Sequence, residues 1–282
     1  MRTAKPDWIL KRLSYGPDRK QVEDTLRGLH LHTVCEQAGC PNIGECFCSK
    51  TATFMILGNL CTRNCTFCMV PKGQPECVDP LEPERVAEAT ARLSLKHVVV
   101  TSVTRDDLPD GGAGHFAKVI RAIRAKCPDT TIEVLIPDLQ GSLEALRHVI
   151  GAEPTVINHN IETIERLYPE IRPMAVYVRS LELLRRVKSA APDIKTKSGL
   201  MAGLGETQDE MRRAMWDLRA VGVDFLTIGQ YLAPSKRHHP VVEYVHPDVF
   251  EQYKKDAEAM GFAYAASGPF VRSSYHAGEA LK

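Results

Sequence analysis

Between residues 53 and 230 the chain alternates two textures. Short, nearly continuous apolar runs fall at 53–57, 97–103, 131–136, 155–158, 194–201 and 225–230. The stretches between them, 84–95, 115–126, 143–150, 161–168, 180–190 and 208–221, repeat apolar positions at helical spacing. Such alternation predicts parallel strands buried on both faces beneath a cover of helices. Pro83 stands at the start of one helical stretch, where its fixed φ helps initiation, and Gly222 just past the end of another. The six β/α units are two short of a closed eightfold barrel. The expected fold is therefore α/β, a partial (β/α)6 TIM-like barrel with N- and C-terminal extensions. An open doubly wound sheet is the alternative.

The flanks read differently. Residues 1–52 are polar, with one short amphipathic stretch at 22–31 that predicts a helix. After Tyr231 the pattern loosens into SKRHHP, one more helical stretch at 247–260, and a tail ending SGPFVRSSYHAGEALK. The expected division is an N-terminal extension (1–52), a barrel (53–231) and a C-terminal extension (232–282). In parallel α/β barrels chemistry collects where strands end. That marks Asn59 and the cysteines after it, the stretch 101–107, Asn158-His159-Asn160, Lys195 with Lys197, and Gln230-Tyr231. The glycine-rich stretch 110–114 does not match a dinucleotide fingerprint.

Composition narrows the function classes. The 282 residues are 44% apolar and 25% charged, as in a folded globular chain, and the net charge of +1 argues against binding nucleic acid through bulk positive charge. The first residues, MRTAKPDWILKRL, lack the apolar core of a secretory leader, and no apolar run is long enough to span a membrane. A cytoplasmic setting follows as the expectation. In that reducing compartment cysteines serve metals or redox chemistry more often than disulfides. Here there are nine, and seven of them (35, 40, 46, 48, 61, 65 and 68) crowd one stretch of the chain.

Cys61, Cys65 and Cys68 form a CxxxCxxC loop directly after the first predicted barrel strand. Three thiolates at this spacing can hold three irons of a [4Fe–4S] cluster and leave the fourth open to a small molecule. Structural zinc, which prefers four closed ligands, is the alternative, with His97 as a distant fourth. A second set, Cys35, Cys40 and Cys46, again offers three thiolates, for a second cluster or a zinc site. Cys48, Cys77 and Cys127 are left for packing.

With Phe67 inside it, the loop reads CxxxCxFC and resembles that of the radical S-adenosylmethionine superfamily. The segment HTVCEQAGCPNIGEC and the tail Arg272-Ser273-Ser274-Tyr275 narrow the resemblance to the lipoyl synthase family. It extends through KPDW, TSVTRDDLPDGGAGHF, NHNIET, KSGLMAGLGET and GQYLAPS, and so covers nearly the whole chain. Gly39 and Thr104 depart from the family pattern, where a larger residue and an acid are expected.

The resemblance implies two [4Fe–4S] clusters and S-adenosylmethionine as cofactors. Cys61, Cys65 and Cys68 would ligate the cluster that cleaves S-adenosylmethionine. Cys35, Cys40 and Cys46 would ligate an auxiliary cluster consumed as sulfur donor, with Ser274 as fourth ligand and Ser273 as fallback. The implied reaction inserts sulfur at C6 and C8 of an octanoyl chain carried on a protein lysine. Thr101 and Ser102 would meet the methionyl end of the cofactor; Asn158, Asn160 and Lys195 would contact cofactor or substrate. For the two asparagines turn formation is the alternative, and for Lys195 and Lys197 a solvated strand end.

Implied partners are octanoylated lipoyl carriers (glycine cleavage H protein and E2 lipoyl domains), an electron donor such as flavodoxin or ferredoxin, and an iron–sulfur carrier. Neither nucleic acid nor membrane is expected, and a monomer is. The run Lys236-Arg237-His238-His239 would steer an acidic carrier, or is simply an exposed charged loop. Rival readings are a different radical sulfur inserter and a two-cluster electron carrier. The first lacks the second cysteine set paired with RSSY, and the second needs no barrel.

Overall fold

The computed structural model describes residues 5–9, 17–48 and 52–282. Parts of the N-terminal stretch read for a leader (1–4 and 10–13), and of the junction before the first barrel strand (49–51), lie outside them. The chain falls into two compact units. One takes the described residues from 17 to 63 with Met69–Ile157 and His276–Lys282; the other takes 5–9, Asn64–Cys68 and Asn158–Tyr275.

The first unit opens with α1 (Pro17–Gly28), β1 (His32–Thr33), and the short helices α2 (Val34–Gln37) and α3 (Ile43–Cys48). It continues with β2 (Thr53–Ile56), α4 (Glu82–Arg92), β3 (His97–Ser102), α5 (Ala113–Lys126), β4 (Thr131–Leu135), α6 (Leu143–Ile150) and the start of β5 (Val156–Asn158). β1 runs antiparallel to β2, whereas β2, β3 and β4 pair in parallel, with Phe54 opposite Val100 and Val100 opposite Val134. All four residues of β2 are buried, as are the four central residues of β3. Covering on both faces is why these strands read as continuous apolar runs.

The second unit holds α7 (Tyr168–Ile171), α8 (Tyr177–Ala190), β6 (Lys195–Ala202), α9 (Gln208–Ala220), β7 (Phe225–Gln230), α10 (Pro247–Ala259) and β8 (Tyr264–Gly268). β6, β7 and β8 pair in parallel. Thr207 starts α9 through a reciprocal capping box with Glu210. Behind β7, the buried amide of Gln230 donates to the carbonyls of Ala202, Tyr231 and Glu243 and accepts the Val245 N–H at 2.8 Å. A Cβ at Gly203 would overlap that amide, and Gly203 takes a φ of +94°, so glycine is needed there twice over.

Strand order follows chain order from β1 to β8. A doubly wound sheet would permute it, so the partial barrel is the fold that stands. Two elements depart from expectation. The helix expected at 161–168 is instead a bridge from Glu162 to Leu200, then a 3-10 turn at Glu165–Leu167 leading into α7. Glu162 sits at φ +66°, outside the helical region, because its N–H and C=O are taken by Gly199 and Met201. The strand β8, YAASG, also went unpredicted, since small residues carry little strand signal.

Candidate functional site

Cys61 and Arg63 belong to the first unit, Cys65 and Cys68 to the second. The Cys61 end is tied down on two sides. Its N–H donates to Pro71 O at 2.9 Å, and its carbonyl accepts from Gly73 at 3.0 Å. Its Sγ accepts the backbone N–H groups of Arg63 and Thr104, each at 3.4 Å. Thr62 donates through both N–H and Oγ1 to Thr104 O. The stretch 101–107, flagged because it follows a strand, is thus the wall on which the loop rests.

In the second unit, Thr66 donates its N–H to Ile171 O at 3.0 Å, and its own carbonyl accepts from His239 N–H at 3.0 Å. Cys68 N–H closes onto Cys65 O at 3.3 Å. Burial, and then the neighbouring Cys68, push the Tyr231 phenol above its ordinary pKa; its hydroxyl donates to His239 O at 2.7 Å.

The second cysteine set lies wholly in the first unit. Thr33 caps α2 by exchanging hydrogen bonds with Glu36, which fixes Cys35 in its first turn. Cys40 N–H donates to Cys35 O at 3.0 Å, and Cys46 N–H to Asn42 O at 2.9 Å. Burial, partly offset by hydrogen bonds from Thr53, pushes the Cys35 thiol up to about 11, and the nearby Cys40 and Glu36 push the same way. Gly39 between them has a φ of +56°, which accounts for a small residue where a larger one was expected. His276, two residues beyond Ser274, faces Glu45 across 3.3 Å, and Glu45 directly precedes Cys46.

Other flagged residues separate. Thr101 is buried and donates to Leu135 O at 3.1 Å. Ser102 Oγ is buried without a partner. Asn158 is fully buried in the second unit. Asn160 donates to Glu162 Oε1 at 3.1 Å while its Oδ1 is left without a partner, pressed so close to Gly199 that a Cβ there would not fit. Asn59 is exposed. Lys195 needs correcting: it opens β6 rather than following it, and is exposed at the strand end away from Gly203. Lys197, one repeat on, is buried. His239 needs correcting too. It is not part of an exposed run but buried, with Nε2 toward Leu204 O and Nδ1 3.3 Å from Glu170; Lys236 and Arg237 are exposed as expected. His97 opens β3 with its ring against Thr131 and Glu133, at the end remote from the cysteine loop. Of the spare cysteines, Cys77 is exposed rather than packed.

Comparison with known proteins bears on what this arrangement serves. A family model of the radical SAM superfamily matches residues 55–218. A lipoyl synthase from Caldicellulosiruptor bescii is 60% identical over 97% of this chain and 94% of its own. One from Alkaliphilus metalliredigens is 57% identical over 99% and 96%. The chain belongs to the lipoyl synthase family. It is thereby a radical S-adenosylmethionine sulfurtransferase, with [4Fe–4S] clusters and S-adenosylmethionine as its cofactors.

Solved structures agree in fold. SuiB of Streptococcus suis bound to S-adenosylmethionine matches at a TM-score of 0.60 and 8% identity, covering 80% of this chain; the chain spans about half of SuiB, 53%. Methylornithine synthase matches at 0.55 and 11%, over 76% of this chain and 71% of its own.

The residues fit the clusters. None of the nine cysteines is tied up in a disulfide among the described residues. Two N–H donors already point at Cys61 Sγ, the setting of a cluster-bound thiolate. Among the described residues no three Cys, His, Asp or Glu side chains converge on one ion position. A four-iron cluster takes one thiolate per iron and so holds its ligands apart.

Proposed function

We propose that Cys61, Cys65 and Cys68 hold the cluster that takes S-adenosylmethionine, and that Cys35, Cys40, Cys46 and Ser274 hold the sulfur-donating cluster. The observation that carries this reading is the pair of backbone N–H groups aimed at Cys61 Sγ. Ser274 enters this reading through the family's tail motif, Arg272-Ser273-Ser274-Tyr275. An alkoxide is a hard ligand among soft thiolates, and a weak corner suits a cluster meant to be dismantled. When bound, the clusters supply the electron that cleaves S-adenosylmethionine and the sulfur that is inserted at C6 and C8.

The chain's own residues bind, orient and exclude water. Ser102 Oγ and Asn160 Oδ1, buried and without protein partners, are available to the polar groups of a ligand. Thr101 and Asn158, buried beside them in sequence, complete the cofactor contacts. Such burial matters because a carbon radical must meet the sulfur source before solvent. On this reading 1–52 and 232–282 are extensions that serve the auxiliary cluster, around a barrel at 53–231.

The substrate is an octanoylated lipoyl domain, with the glycine cleavage H protein and E2 domains as carriers. A flavodoxin or ferredoxin supplies electrons and an iron–sulfur carrier restores the auxiliary cluster. The enzyme works as a cytoplasmic monomer; no helix among the described residues is long and apolar enough to cross a membrane.

Anaerobic reconstitution tests the assignment. About eight irons per chain are expected from two four-iron sites, with 5′-deoxyadenosine formed on an octanoylated peptide. Alanine at Cys61, Cys65 or Cys68 should abolish cleavage. Alanine at Cys35, Cys40 or Cys46 should spare cleavage and stop sulfur insertion. Failure of both sets at the same step would overturn the division.

A further inference from the structure

Between the first two cysteines of the loop stands a buried arginine. Arg63 Nε donates to Asp106 Oδ2 at 2.6 Å, and Nη2 to Asp106 Oδ1 at 2.9 Å and to Asp138 Oδ1 at 2.6 Å. The side chains of Arg63 and Asp138 are 5% and 0% exposed. A guanidinium stays charged in a protein, and here these three side-chain bonds of Arg63 all end on carboxylate oxygens. The group of three carries one positive charge against two negative ones.

Burying such a group is a poor route to stability, because desolvation offsets most of the attraction and packed apolar side chains would do as well. What it supplies is direction. A guanidinium presents its donors in a rigid plane, and two carboxylates from separate loops fix that plane. The consequences run straight to the sulfur. Asp106 N–H donates to Thr62 Oγ1 at 3.1 Å, Thr62 is bound twice to Thr104 O, and Arg63 N–H and Thr104 N–H both end on Cys61 Sγ.

We propose that Arg63, gripped by Asp106 and Asp138, is a positioning residue that keeps the Cys61 sulfur under its two N–H donors, and so sets how firmly the loop retains its cluster and how readily that cluster is reduced. The inference rests on Cys61 being a cluster ligand. Hydrogen bonds to the sulfurs and local charge both tune such potentials, and excess negative charge lowers them.

The test uses the full-length holoenzyme, carrying both clusters, and follows the electron paramagnetic resonance signal that S-adenosylmethionine perturbs. Its decay under a ferrous-iron chelator and its midpoint potential are compared in R63K, D138N and the surface variant D79N. R63K keeps the charge but cannot span two carboxylates. D138N keeps an acceptor but loses a charge.

R63K and D138N should lose the signal roughly 10–100-fold faster, the scale seen when residues behind a metal ligand are changed. D138N should in addition titrate at a higher potential, which a merely structural defect would not produce. D79N should match the parent. Unchanged decay and potential in both R63K and D138N would overturn the proposal. Should R63K not fold, as judged by the apo-protein's thermal melt, D138N and D106N carry the test under the same criterion. C61A separates the two claims. Retention of the signal in C61A sinks the ligand assignment, whereas its loss there with parental behaviour in R63K and D138N sinks the positioning role alone.

Discussion

Cys61 and Cys35 lie in the same compact unit, yet the chain supports their sulfurs in different ways. Cys61 sits on a loop whose flanking residues are gripped by distant parts of the sequence: Thr104 and Asp106 after β3, Asp138 after β4, and residues 71–73. Cys35 sits on a helix of four residues, and its backbone partners in 33–46 are a few positions away. The first motif is held mainly by long-range contacts and the second mainly by short-range ones, with Thr53 at Cys35 and His276 at Glu45 its distant partners. Short-range structure can open locally without disturbing the rest of the fold. A cluster retained through every turnover belongs on the first kind of support, and one that is consumed and replaced belongs on the second.

This contrast can be broken or sharpened, beginning with the largest effect. Gly112 precedes α5 at φ +88°, and a Cβ there would overlap the Leu57 side chain. Leu57, itself at φ +69°, donates its N–H to Glu82 at 2.9 Å and accepts from Arg105 at 3.2 Å. G112A should therefore lower the unfolding free energy by about 2–4 kcal/mol, from backbone strain plus overpacking. Iron retention at the Cys61 loop should suffer before retention at Cys35, Cys40 and Cys46. Equal loss at both, measured by iron release, would mean that the two supports are not independent.

The next effect is one of pH. The folded apo-protein holds the Cys35 thiol at about 11, against an ordinary 9.0. Folding thus favours the protonated thiol. Its contribution is full below pH 9 and is lost between about 9 and 11, where the unfolded chain ionises first. A shift of this size corresponds to roughly 2–3 kcal/mol. C35S, which does not ionise there, should flatten the decline of apo-protein stability across that window. An unchanged slope in denaturant titrations at pH 9 and 11 would count against the burial argument.

The smallest effect leaves both motifs alone. Exchange of the exposed Lys236 and Arg237 for glutamate should reduce turnover of an acidic carrier domain by about tenfold or less at low salt, and by less at high salt. Turnover that does not change at low salt removes the steering role.

Much of the fold was legible because buried parallel strands and amphipathic helices leave strong periodic signals; β3 and α6 match their expected ranges closely. Weaker elements failed for physical reasons. Residues 161–168 have helical spacing, but hydrogen bonds to β6 take the Glu162 backbone, and no local pattern reports such a partner. The cysteines announced themselves by spacing. The Arg63 group did not: Asp106 fell within the marked stretch 101–107, but the members are far apart in sequence and no spacing links Asp106 to Arg63 or Asp138. His239 shows the same blindness: in SKRHHP it looks solvated, and only the fold buries it against Tyr231 and Leu204.

The Gln230 amide carries a further consequence, one of chemical ageing. Its nitrogen serves three carbonyl oxygens at once. Hydrolysis of that single amide to a carboxylate would turn donors into a charged acceptor facing all three, at a buried position where the repulsion is costly. The durability of this fold thus depends in part on that one bond staying intact.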